Sequence, residues 1–264
     1  MGKSNQSTQE INSQAQNPLG TAPVGGLIAK FAIPAIISML VSAMYNIVDQ
    51  IFIGQGVGML GNAATNVAFP VTTIATALAL LLGIGGASNY NLEMGAGQEK
   101  KASGIAGTAL SSLVISGLIL AVIALVFLKP LLTLFGATTD VMPYAVDYTG
   151  ITALGLPFYI LSVGGNHVVR ADRSPTYSMT CIMIGAIINT ILDPVFIFVF
   201  GWGIKGAAWA TVIGQVVSGV LVIVYFWKFR NMYLTGAMLK PKMPYLKAII
   251  SLGLASCINQ IAMA

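Results

Sequence analysis

Long apolar runs govern what this 264-residue chain can fold into. Seven can be marked, at roughly 27–53, 63–90, 102–128, 142–168, 176–200, 206–229 and from 246 onward. A hydrocarbon core about 30 Å thick takes roughly 20 helical residues to cross. Six runs meet that length, and the seventh has 19 residues when it reaches Ala264. Little charge is left between them: 13 basic and 8 acidic residues, or 8%, against about 25% in a typical soluble domain. That is too few to cover a water-facing surface, which excludes a soluble enzyme, a secreted disulfide domain and a disordered tail. The pattern predicts an all-α polytopic membrane protein, a six-helix transmembrane bundle plus a truncated seventh helix. Short loops make consecutive helices antiparallel neighbours.

The placement of charge sets an expected orientation. With the N-terminus inside, eleven basic residues fall on inside segments: Lys3, Lys30, Lys100, Lys101, Arg170, Arg173, Lys228, Arg230, Lys240, Lys242 and Lys247. Only Lys129 and Lys205 fall outside. Cytoplasmic loops carry such an excess, so a cell-membrane protein with a cytoplasmic N-terminus is expected. Trp202, Trp209 and Trp227 lie near helix ends, where interfacial anchors sit. The net charge of +5 does not point to nucleic acid, because the basic residues occupy short gaps rather than one stripe. Residues 1–25 are polar and read as a disordered cytoplasmic tail, with no secretory signal. Residues 26–230 form the six-helix lobe, 231–245 a basic linker, and 246–264 the start of a seventh helix. A lone helix after such a linker is what the beginning of a second half looks like, so a missing C-terminal lobe is expected as a partner. Cys181 and Cys257 lie inside apolar runs and read as packing residues.

Ionisable groups inside a span are costly and are functional candidates by default. Asp49 in the first run and Asp193 in the fifth are the clear cases. Depth can be counted at about 1.5 Å per residue. Asp49 and Asp193 lie roughly 30 and 26 Å from the inner starts of their helices, and Tyr148 and Thr211 about 9 Å below the outer starts of the fourth and sixth. Asn189 is one turn from Asp193 on the same face. Two carboxylates, an amide and two hydroxyls from four helices therefore share one layer. Such oxygens suit a hard cation such as Na⁺, with Asp49, Asp193, Asn189 and Thr211 as ligands, while a proton needs only one carboxylate. Taken singly, Tyr148, Asn189 and Thr211 read as ordinary helix-to-helix hydrogen bonds, and Asp147 as a structural group near the outer interface.

Pro34, Pro70, Pro157 and Pro194 are expected to kink or interrupt the first, second, fourth and fifth helices. Gly83, Gly85, Gly86, Gly104, Gly107, Gly164 and Gly165 allow close helix approach. Gly54-Gln55-Gly56-Val57-Gly58 is only superficially a nucleotide loop: no strand precedes it, and it is expected in an outside loop. Catalytic motifs and Cys/His metal spacings are missing, and the single histidine, His167, is far from the carboxylate layer, so no enzyme is expected.

At this point the chain resembles multidrug and toxic compound extrusion (MATE) transporters. The resemblance rests on Asn189 through Leu192-Asp193-Pro194 to Gly206-Ala207-Ala208-Trp209-Ala210-Thr211. It is supported by Ile33-Pro34, Val48-Asp49, Phe52-Ile53-Gly54, Asn91 through Gly97, Arg170-Ala171-Asp172 and Ser174-Pro175. The resemblance implies a two-lobed antiporter that exports drugs and other xenobiotics, small cationic or amphipathic molecules, against inward Na⁺ or H⁺. It places the cation site of the prokaryotic branch on Asp49 and Asp193, with Tyr148, Asn189 and Thr211 around them, and the bending proline on Pro34. No cofactor beyond the coupling ion is implied. Arg173 stands where the family usually has glycine. The rival from the same superfamily, a flippase of lipids or lipid-linked oligosaccharides, would need a basic cavity for pyrophosphate, and no Lys or Arg lies deep in a span.

Overall fold

The computed structural model describes residues 24–229, 232 and 234–263. Expectations for residues 1–23 and for Arg230, and for the side chain of Lys30, lie outside the described residues. The described residues form eight α-helices: α1 (Val24–Gly56), α2 (Met59–Gly95), α3 (Glu99–Val126), α4 (Leu128–Leu134), α5 (Met142–Ala171), α6 (Pro175–Pro194), α7 (Ile204–Val224) and α8 (Met243–Ala262). All but the short α4 are long and apolar enough to cross a membrane. α2, at 37 residues, is about 55 Å long and so outreaches the hydrocarbon by several turns. Ile36, Met39, Met44, Ile47, Leu118, Val122, Val126 and Ile258 point outward. In water such a belt would be a liability, but against lipid tails it costs nothing, because the surroundings are equally apolar.

The helices ascend and descend between two faces. One face carries the α2–α3, α5–α6 and α7–α8 connections and is rich in Lys and Arg; it is called the basic face below. α5 is the axis of the bundle, packed against α2, α3 and α7. Its backbone comes close to α2 at one point: a Cβ added to Gly83 would sit 2.5 Å from the Gly164 Cα. α8 lies along α2. The core between these helices is built from small and branched residues such as Ala75, Ala79, Ala106, Leu113, Ile160 and Val222, and small side chains let helices approach where no water-driven squeeze operates.

Three expectations change. The prolines do not break their helices: α1 runs through Pro34, α2 through Pro70 and α5 through Pro157. A proline removes one backbone donor, and the neighbouring turns carry the helix past it. At Pro194 the chain does not stop either but widens into a π-helical turn over Val195–Val199. The glycines at 54 and 56 belong to the last turn of α1, not to a loop, which leaves only Val57 and Gly58 between helices. Gly56 abuts Ile197 of the π turn, so helix packing sets the conformation there rather than glycine's preference for turns. Finally, α1 and α2 follow one another but barely touch; the principal neighbour of α1 is α6. The two helices diverge from the Val57–Gly58 turn and leave a wedge of space between their polar faces.

Candidate functional site

Depth, counted along the observed helices, brings the predicted residues together. Asp49 lies seven residues before the end of α1, Tyr148 six residues into α5, and Thr211 seven residues into α7. At about 1.5 Å per residue each is some 9–10 Å below the face opposite the basic one. Asp193 is the penultimate residue of α6, beneath the π turn. The carboxyl groups of Asp49 and Asp193 lie next to each other, close enough to repel when both are charged. Both are buried, with exposures of 7% and 0%, and Asn189 beside them is 3% exposed.

The surrounding contacts form a connected set. With its amide turned to suit both neighbours, Asn189 donates from Nδ2 to Asp193 Oδ2 at 3.3 Å and accepts from Thr211 N at 3.3 Å. The Tyr148 hydroxyl lies beside Thr211 and, like it, lines the larger cavity. Gln50 donates from Nε2 to Asp49 Oδ2 at 3.5 Å, and Thr65 Oγ1 donates to Gln50 Oε1 at 3.0 Å. The backbone explains why α6 and α7 can hold Asn189 against Thr211. Gly185 and Gly214 face each other there, and a Cβ on Gly185 would lie 2.9 Å from the Gly214 carbonyl oxygen. All five predicted ion-site residues are thus gathered in one place. Pro34 is four turns away along α1, and its carbonyl accepts from Ser38 Oγ at 2.7 Å. Asp147 is elsewhere, half-exposed and 3.4 Å from Lys205, a surface pair of little energetic consequence.

Asp49 opens onto a cavity of about 420 Å³ between α1, α2, α5 and α7, into which Gln260 of α8 also points, while Asp193 lies behind it, away from the lining. A second cavity of about 190 Å³ continues between α1, α5, α6 and α7 toward Ser162, Asn166 and Ser218. Tyr45, Tyr159, Thr211 and Gln215 line both. Neither is lined by Lys, Arg or His among the described residues, and acidic charge is present only in the larger one, as Asp49. The lining is mostly hydroxyl, amide and aromatic. Asp49 Oδ1, Thr149 Oγ1 and Gln215 Oε1 are buried with no hydrogen-bond donor reaching them. Buried oxygens left without donors form an environment that accepts a cation or a proton. No group of three or more His, Cys, Asp and Glu side chains gathers among the described residues, so the oxygen set suits a monovalent ion better than a transition metal.

Sequence reasoning missed Tyr45, Gln50, Thr65, Tyr159 and Gln215. For two of them a signal existed: Tyr45 is one helical turn before Asp49, and Gln215 one turn after Thr211, so each shares a face with a residue already singled out. Thr65 and Tyr159 gave no such signal, because their roles depend on how far α1 and α2 diverge.

The fold and the cavity define a polytopic α-helical membrane protein with a polar, oxygen-lined chamber inside one bundle. The MatE family model matches residues 34–195, and the chain belongs to the MATE family of transporters. It is 31% identical over 196 residues to the multidrug export protein MepA of Staphylococcus haemolyticus, a match covering 74% of this chain and 43% of that protein. It is 33% identical over 215 residues to an FAD transporter of Shewanella oneidensis, covering 77% of this chain and 47% of that one. Among solved structures, the outward-facing conformation of a multidrug resistance MATE family transporter superposes with a TM-score of 0.82 at 29% identity, covering 89% of this chain and 52% of that one. The chain spans about half the length of the relatives it matches.

Proposed function

We propose that this chain is a cation-coupled lobe of a drug exporter, taking up Na⁺ or H⁺ at Asp49 and Asp193 and using that uptake to release a small cationic or amphipathic molecule from the adjoining cavity. The single observation that carries the reading is the neighbouring pair of buried carboxyl groups, one of which, Asp49, lines a chamber that no described Lys, Arg or His lines. Like charges at that distance repel in a medium of low dielectric, so arrival of one positive charge strongly favours the pair. An anionic cargo is disfavoured by the same lining, which argues against a pyrophosphate-linked lipid.

The movement follows from which residues α1 carries. Tyr45, Asn46, Asp49 and Gln50 form one wall of the larger cavity. α1 rests mainly on α6, and its outer side faces lipid. Neutralised carboxyls lower the cost of drawing Asp49 inward, and a bend of α1 at Pro34, where one backbone hydrogen bond is already absent, sweeps that wall across the cavity. The export cycle requires a second lobe of the kind the longer relatives possess, rocking against this one, within a cell membrane.

Binding of a fluorescent cationic dye to the purified protein, followed by polarisation, tests the coupling step. Acidification, or addition of Na⁺ at alkaline pH, should release dye from the parent protein. Asp49→Asn and Asp193→Asn should each abolish that release while retaining a folded protein. Release unchanged in both variants overturns the assignment. The arm that releases dye, proton or sodium, identifies the coupling ion.

A further inference from the structure

On the far side of α5 from the cavities, near the basic face, lies an apolar groove of about 540 Å³. Its walls are Leu110, Val114 and Ile115 of α3, Leu161 of α5, Val222 of α7 and Phe226 of the π-helical turn that follows α7. The chain that follows closes it from above, with Leu234, Leu239 and Pro241 in the lining. This roof is held in place at two points. Gly107 lets the Met238 carbonyl come against α3, where any Cβ would collide with it. Lys242 N donates to Thr108 Oγ1 at 3.5 Å. Ile115 is seven residues deeper than Thr108, so the apolar trough runs about 10 Å into the membrane below its rim.

The rim is cationic. Lys240 and Lys242 flank Pro241, and both are exposed; the Lys242 ammonium sits 5.5 Å from the centre of the Tyr245 ring. Lys228 adjoins Trp227, which lines the groove and is 83% exposed. An apolar trough opening to lipid, with an interfacial tryptophan and lysines at headgroup level, is complementary to one kind of molecule. We infer that this groove binds an anionic phospholipid, with an acyl chain along Val114, Ile115, Leu161 and Val222 and the phosphate between Lys240 and Lys242. A zwitterionic lipid satisfies the trough but not the rim.

The test is lipid retention by the purified protein in detergent, read by native mass spectrometry with equimolar phosphatidylglycerol and phosphatidylcholine of identical chains. The parent should retain phosphatidylglycerol preferentially. Each lysine near an anionic headgroup contributes about a fivefold preference, so Lys240→Gln with Lys242→Gln should lower it by roughly twentyfold. The control, Lys100→Gln with Lys247→Gln, removes the same charge from the same face and should change the preference by less than about twofold. Val114→Trp fills the trough and should reduce retention of both lipids without altering their ratio. Equal losses from the two double variants, no preference in the parent, or undiminished retention in Val114→Trp each overturn the site.

Discussion

Arg173 is the non-glycine residue with a positive φ, 64°, among the described residues. It closes α5 in a C-terminal turn in which Arg173 N donates to the Arg170 carbonyl and Ser174 N to that of Val169. The left-handed conformation costs an L-residue about 1–2 kcal/mol. The turn therefore holds a side-chain-bearing residue where glycine would be free of strain. Arg173→Gly should stabilise the protein by up to about 1 kcal/mol, part of the relief being lost to the greater entropy of glycine in the unfolded chain. Arg173→Ala keeps the strain and should not. Thermal melting of both variants in detergent separates the backbone effect from loss of the exposed side chain; equal melting temperatures would show that the turn is not strained.

At the level of elements, the helices were legible because lipid demands long uninterrupted apolar stretches, and the shared depth of Asp49, Tyr148, Asp193 and Thr211 was legible because rise per residue converts sequence position into depth. What depth cannot supply is azimuth. Asp49 and Asp193 share a layer by arithmetic, but their proximity exists only because α1 leans on α6 instead of on α2. The same divergence creates the larger cavity, which is why Thr65 and Tyr159 were invisible beforehand. The short α4 was also missed, since seven residues carry too little periodicity to stand out. Helix approach, in contrast, follows from glycine positions with a sharp consequence. At Gly83 a methyl group would press on the α5 backbone, which cannot yield as a side chain could. At Gly95, in the same helix, nothing lies within 4 Å. Gly83→Ala should therefore destabilise by about 1–3 kcal/mol, while Gly95→Ala should be neutral or mildly stabilising through helix propensity. Unfolding of the two variants side by side checks the opposite signs, and a Gly83→Ala as stable as Gly95→Ala would mean that α2 and α5 are further apart.

For the whole molecule, the distribution of charge bears on the direction of the cation coupling proposed above. The carboxyl pair lies nearer the face that carries Lys129 and Lys205, and the other described basic residues belong at or toward the opposite face. If the basic face is cytoplasmic, as positive charge near helix ends dictates, Asp49 and Asp193 are reached from outside, the side from which inward-directed Na⁺ or H⁺ arrives. Inverting the molecule would put the carboxyl pair on the wrong side of an inward gradient, so the proposed coupling requires this orientation. The native thiols are Cys181, which is buried, and Cys257, which is partly so, and both can be replaced by alanine. Lys205, with a side chain 56% exposed, and Lys100, on the basic face, then supply the reporters. In intact cells Lys205→Cys should react with a membrane-impermeant maleimide, and Lys100→Cys should react only after permeabilisation. The reverse pattern would leave the geometry of the site untouched but remove inward cation flow as its driving force.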